Sequence, residues 1–175
     1  MSQGYFTVNG QTENLIIIER SKFICTIKGI ENEEDAKSFI ESMRKKYSLA
    51  NHNCYAYIAD DKGLIQKFSD DSEPQGTAGL PMLEVLKNKR MFKTVAVVTR
   101  FFGGIKLGAG GLVRAYSSSA SLALNEAGIA PIINYETLEL IFNYGFMNII
   151  ENKLKSYEIL AKDFTTNVTL KVKVP

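Results

Sequence analysis

The sequence predicts an α+β protein in two parts, a two-layer unit over residues 1–130 and a shorter one over 136–175. Three observations carry this reading. Ile- and Val-rich runs of strand length alternate with stretches of helical apolar periodicity through the first part. The run Thr94–Phe102 is almost continuously apolar, as a strand covered on both faces should be. Beyond Pro131–Asn134 the order of elements begins again as β-α-β-β.

Asn14–Glu19 and Lys22–Gly29 read as two strands joined at Arg20-Ser21. Asn32 suits the N-cap of a helix that places Ala36, Phe39, Ile40, Met43 and Tyr47 on one face. Arg44, Lys45 and Lys46 close that helix, where cations favour the dipole. Cys54–Ala59 and Leu64–Phe68 form a hairpin across Asp60-Asp61-Lys62-Gly63, and a short helix starts near Pro81 and runs to about Lys89. After the covered strand come a glycine-rich loop, Gly103–Gly111, and a helix, Leu112–Ala127, that Gly128 ends. The second part reads as a strand (Thr137–Phe142), a helix (about Phe146–Tyr157) and two strands (Ile159–Phe164, Val168–Val174). That order is a split βαβ unit without its last helix and strand. Either the sequence stops short of the whole unit or something else completes the sheet.

Composition narrows the class. The chain has 175 residues, 45% apolar and 23% charged, the balance of an ordinary globular protein. No stretch approaches the roughly 20 apolar residues of a membrane span. Met1–Gly10 lacks the basic and apolar regions of a secretory signal. Cys25 and Cys54 each sit in a strand-like run and read as buried thiols of a reducing compartment, so a cytoplasmic protein is expected. The net charge of +2 comes from residues 1–130, with 16 Lys/Arg against 14 Asp/Glu, while residues 131–175 hold five of each. Such a chain has no bulk basic face, so a contact with nucleic acid has to come from local clusters.

The strongest local signal is the segment Arg100–Arg114. Gly103, Gly104, Gly108, Gly110 and Gly111 lie between a covered strand and a helix, where they permit close backbone approach and positive φ, for which Gly110 is a candidate. A helix start offers unpaired N–H groups and a partial positive charge to an anion, and Arg100, Lys106 and Arg114 are placed to add charge-assisted contacts. Neither nucleotide fingerprint fits, since no Lys-Ser/Thr follows the loop and the third glycine of the dinucleotide motif is out of register. The bland alternative is a tight strand-to-helix turn. The small residues Ala115, Ser118, Ser119, Ala120 and Ala123 on the following helix read as close packing on a sheet.

A second candidate site comprises His52, Asp70, Asp71, Glu73, Gly76 and Thr77. The three carboxylates could hold Mg²⁺ with a phosphate, occupy a solvated turn, or neutralise Arg100 or Arg114. His52 is the sole histidine, which excludes His-rich metal sites, and it shares a strand face with Cys54. A thiol–imidazole nucleophile would also need access and an orienting partner, so a structural histidine beside a buried cysteine is the simpler reading. Lys87, Lys89, Arg90 and Lys93 form the densest positive cluster, equally well explained as a solvated turn.

Four segments resemble the YigZ/IMPACT family: Glu19–Ile24, Asn51–Tyr57, Asp70–Gly79 and Val97–Ser117, in the family's order across most of residues 15–130. The resemblance implies a first domain like the second domain of a small-subunit ribosomal protein, a fold also found in elongation factor G. It implies a ferredoxin-like second domain similar to the last domain of that factor. Eukaryotic relatives regulate translation by binding a ribosome-associated activator of a stress-sensing kinase. Ser72 departs from the pattern where glycine is common, and Leu80 stands where lysine is expected, removing a candidate phosphate contact. The expected function is therefore non-enzymatic binding linked to translation, with RNA or the ribosome contacted through the glycine-rich loop. No cofactor or metal is expected, and the oligomeric state is open. An enzyme for a phosphorylated small molecule and a protein-interaction module are the alternatives. The lack of a convincing base or nucleophile weighs against the enzyme.

Overall fold

The computed structural model describes residues 5–133 and 135–175; Asn134, in the expected boundary, lies outside them. The elements are β1 (Tyr5–Val8), β2 (Gln11–Ile18), β3 (Ser21–Gly29), α1 (Glu33–Lys46), β4 (His52–Ile58), β5 (Gln66–Ser69), α2 (Gly79–Asn88), β6 (Thr94–Phe101), α3 (Gly108–Glu126), β7 (Ile129–Ile132), β8 (Glu136–Phe142), α4 (Met147–Lys153), β9 (Glu158–Phe164) and β10 (Val168–Val174). The chain divides into two compact units, one ending at Ile132 and the other running from Ile133 to Pro175.

The first unit is built on a five-stranded antiparallel sheet in the order β2-β3-β6-β4-β5. The apolar run of β6 is its central strand, buried along almost its whole length. Alternation sorts the strand residues onto two faces. Phe23, Cys25, Ile27, Cys54, Ala56 and Val98 face α2 and α3, where Met82, Leu86, Tyr116 and the small residues of α3 complete the larger core. Tyr57, Val95 and Val97 face α1 and pack on Ala36, Phe39, Ile40 and Met43. Asn32 caps α1 through its side chain, which accepts from the Asp35 N–H at 3.0 Å.

Several boundaries differ from the sequence reading. The β2–β3 turn falls on Glu19-Arg20, both at positive φ, one residue earlier than expected. Helix α3 begins at Gly108, so Gly110 and Gly111 lie in its first turn rather than in a loop. Gly110 has no positive φ; Gly104 and Gly108 do. The pairing of β1 with β7 was not expected at all: Tyr5–Val8 and Ile129–Ile132 are short, and neither alternates strongly enough to announce a strand.

In the second unit β8, β10 and β9 form a three-stranded antiparallel sheet with β10 central. Val168, Leu170 and Val172 are fully buried there, against Met147, Ile150 and Leu154 of the helical segment. The expected single helix is shorter, a 3-10 turn (Tyr144–Phe146) followed by α4.

On the α1 face, Glu13 of β2 gathers three donors on Oε2: Thr26 at 3.0 Å, Lys46 at 2.7 Å and Tyr47 at 2.9 Å. Burial alone would raise its pKa, but the bonds from Lys46, Tyr47 and Thr26 outweigh that and hold it below the ordinary value. A carboxyl depressed by folding contributes stability that is complete above its unfolded value of about 4.3 and is lost as pH falls through the lower folded value. Glu13→Gln should therefore lower stability to urea at pH 7, and the gap between variant and wild type should close below about pH 4.

Candidate functional site

The site lies where β3, β6 and β4 end on the α2/α3 face. Strand register aligns Phe23, Arg100 and His52 in one cross-strand row, pointing into the layer that α3 covers. A guanidinium in that row needs a partner, and the chain supplies Glu73. Arg100 Nη1 donates to Glu73 Oε1 at 2.7 Å, with both side chains almost wholly buried. Tyr116 of α3 donates its hydroxyl to the same oxygen at 2.7 Å. Arg100 Nη2 reaches Ser21 Oγ at 3.4 Å, and the cation lies over the rings of Phe23 and Phe102 at 5.3 and 5.5 Å. Its Nε has no partner among the described residues.

Glu73 is delivered by the segment between β5 and α2. Glu73 N–H donates to the Asp70 carbonyl at 2.8 Å, with Asp71 and Ser72 both at positive φ (42° and 70°). That is a tight turn of the kind that favours glycine at its centre. Asp70 accepts from the N–H groups of Gly76, Ala78 and Gly79 at 2.8, 3.1 and 2.8 Å, capping α2 from outside. Asp71 Oδ2 accepts from Asn53 N–H at 2.6 Å. Thr77 donates its hydroxyl to the Pro74 carbonyl at 2.6 Å. The three carboxylates are thus committed separately, to a helix start, a strand end and Arg100. Among the described residues no group of three His, Cys, Asp or Glu side chains converges to hold a metal.

His52 Nδ1 lies 2.8 Å from the Asp71 carbonyl. A carbonyl only accepts, so Nδ1 carries the proton and Nε2 is the acceptor of the neutral ring. Nε2 stands 3.8 Å from Glu73 Oε2. Both border a cleft of about 380 Å³ that is also lined by Arg100, Phe102, Lys106, Gly108 and Ala109. The structure therefore joins His52 and Glu73 of the second candidate site with part of the glycine segment of the first, a union that sequence spacing did not reveal. Arg100, expected as a free cation for an anion, is instead Glu73's buried partner. That outcome was among the roles open to the acidic segment.

Two glycines show why this segment is glycine-rich. A Cβ on Gly103 would meet the backbone of Arg20 and Ser21 at 2.0–2.4 Å, so the chain crosses the β2–β3 turn in direct contact. Gly103 N–H donates to Ser21 Oγ at 3.1 Å. Gly108 has φ +70° at the first position of α3. No side chain caps that helix start, leaving its first-turn N–H groups without intrahelical acceptors. Gly108, Ala109, Gly110, Lys106 and Arg114 are exposed there, and neither cation has a carboxylate partner among the described residues. Arg114 lies on the other side of the loop from the cleft, bordering a second depression with Glu19 and Lys106.

Residues 19–124 match the family model described as the Impact N-terminal domain. The chain belongs to the IMPACT family. It is 46% identical over 163 residues to the IMPACT family member YvyE of Bacillus subtilis, covering 93% of this chain and 75% of that protein. It is 38% identical over 166 residues to the IMPACT family member YigZ of Escherichia coli, covering 90% and 79% respectively. A crystal structure described as that of a hypothetical protein superposes with a TM-score of 0.73 at 33% identity, over 100% of this chain and 87% of that one. The matched Impact N-terminal segment of this IMPACT-family chain contains every candidate site residue.

Two outcomes follow from this geometry. The Cys54 thiol lies 3.0 Å from the Asp70 carbonyl and 3.3 Å from the Tyr116 hydroxyl. Burial pushes it far up, with the charges of Glu73, Asp71 and Asp70 adding, while Cys25 is pushed up to about 12 by burial and the charge of Glu13. In the folded protein at about pH 8, neither thiol should react with a thiol reagent, whereas both should react in urea. Rapid stoichiometric labelling of native Cys54 would restore it as a nucleophile. In the strained turn, Ser72→Gly should raise stability to urea by about 1 kcal/mol, because an L-residue in the left-handed region costs roughly that much.

Proposed function

We propose that this chain is a non-enzymatic binding protein linked to translation, contacting RNA or the ribosome through the N-terminal turn of α3. One observation carries the reading: a 19-residue helix opens on Gly108 with no capping side chain, while two exposed cations with no carboxylate partner among the described residues, Lys106 and Arg114, flank its free N–H groups. Such a helix end favours a phosphate. Backbone donors and point charges read no base edges, so the contact serves any sequence. Membership of the IMPACT family supports the link to translation, through the regulatory role that the sequence resemblance implies for its eukaryotic relatives. In this reading residues 1–130 act as a domain like the second domain of a small-subunit ribosomal protein. Residues 136–175 supply part of a ferredoxin-like unit. The separate commitments of Asp70, Asp71 and Glu73 favour binding over metal-assisted chemistry.

The test is titration of a labelled single-stranded RNA at several salt concentrations. With two or three phosphates neutralised, log K should fall against log salt with a slope near −2, about 0.7 per contact. Lys106→Ala should remove about one contact from that slope and weaken all sequences alike. A β-branched residue at Gly108 should be worse, since φ +70° there strains any side chain. Affinity that is flat between about 50 and 200 mM salt and indifferent to Lys106→Ala would make the loop a packing device and the protein a partner-binding module.

A further inference from the structure

The cleft beside α3 carries two acceptors that the protein itself leaves unused. Glu73 Oε1 receives both bonds drawn to that carboxylate, from Arg100 and Tyr116, while Oε2 receives none among the described residues. Its contact with His52 Nε2, at 3.8 Å, is too long for a hydrogen bond. The His52 ring is fixed by the Asp71 carbonyl with Nε2 as its acceptor. A carboxylate side chain only 3% exposed, with one oxygen open to the cleft and no donor to it among the described residues, leaves a place for a donor from a ligand.

Two acceptors side by side ask for two adjacent donors on one ligand. An ammonium or guanidinium is disfavoured, because Arg100 already neutralises the carboxylate and Lys106 and the α3 N-terminus line the same cleft. Two neutral hydroxyls carry no such penalty. The ligand should also present an anion toward Lys106 and the N–H groups of Gly108 and Ala109. A flat apolar group suits the exposed ring of Phe102. A cavity of about 380 Å³ is of the size that holds a small ligand.

We propose that this cleft binds a ribonucleotide through its ribose cis-diol, with Glu73 Oε2 and His52 Nε2 accepting from the hydroxyls, the phosphate at Lys106 and the start of α3, and the base against Phe102. The proposal rests on the phosphate-binding role of the α3 N-terminus given above, and specifies which part of an RNA is held there. An internal ribose has its 3′ oxygen in a phosphodiester and offers one hydroxyl. The ligand is therefore either a free ribonucleotide or the 3′ end of an RNA.

The experiment titrates the full chain with short single-stranded oligonucleotides that differ only in the last sugar: ribose, 2′-deoxyribose or 2′-O-methylribose. The ribose-ended strand should bind roughly tenfold tighter than the other two, with the same salt slope for all three. His52→Leu should bring the ribose-ended strand down to the deoxy level without changing that slope. Glu73→Gln, checked for folding by circular dichroism, should act in the same direction. Competition by 5′-AMP but not 5′-dAMP identifies the free nucleotide as a ligand, and its failure to compete assigns the site to RNA ends. Equal affinity for the three strands with a persisting salt slope overturns the ribose proposal and leaves the phosphate reading standing. A discrimination untouched by His52→Leu also overturns it. A flat salt response with no preference removes both.

Discussion

Arg100 projects from the central strand into the apolar layer beneath α3, where a lone guanidinium cannot be left without a counter-charge. Glu73 supplies it, and much of the surrounding structure follows from bringing that carboxylate into place. The chain leaving β5 turns tightly through Asp71 and Ser72, against their backbone preference, and Asp70 fastens the far side of the turn to the start of α2. Tyr116 ties the same carboxylate to α3, and its phenol, raised by burial and by Cys54 and Glu73 beside it, remains a donor. One ion pair thus links β6, both inner helices and the acidic segment. Removing a single partner of such a pair generally costs about 3–5 kcal/mol, because the other charge stays buried.

The same pairing shapes the cleft electrically. Arg100 cancels the charge of Glu73 but occupies only one of its oxygens, so the wall stays polar without being strongly negative. The nearby start of α3 and Lys106 then set the sign of the surface and tilt it toward anions. A free Glu73 would set a bare negative charge against the positive end of α3. The proposed pairing of a hydroxyl donor with an anion in one cleft rests on that balance of charge.

The sequence made the large elements legible and hid the connections among them. Thr94–Phe101 announces a central strand through its unbroken apolar run, and Asn32 announces its helix through a capping side chain. The start of α3 was misplaced by four residues because glycines weaken an isolated helix, yet Gly108, Gly110 and Gly111 all lie in its first turn. The β1–β7 pair gave no periodic signal over four residues each. At the site, the residue types and the shared face of His52 and Cys54 were readable. That Glu73, among three neighbouring carboxylates, is the partner of Arg100 was not. Its selection depends on a turn that swings Asp70 toward α2 and Asp71 toward Asn53, which residue types alone do not specify.

The β1–β7 ribbon joins the first described strand to the chain leaving α3, with Tyr5 opposite Ile132 and Val8 opposite Ile129. Val8 is almost wholly buried in the larger core, so this seam also closes the interior. Its contacts are among the most distant in sequence within the unit, and loop-closure entropy has to be overcome before they form. During synthesis the five-stranded sheet can assemble only with this side open, until Ile129–Ile132 has left the ribosome. A nascent chain stalled before that point leaves the β1 edge around Val8 unpaired, the kind of open edge that makes a partly folded chain prone to aggregate.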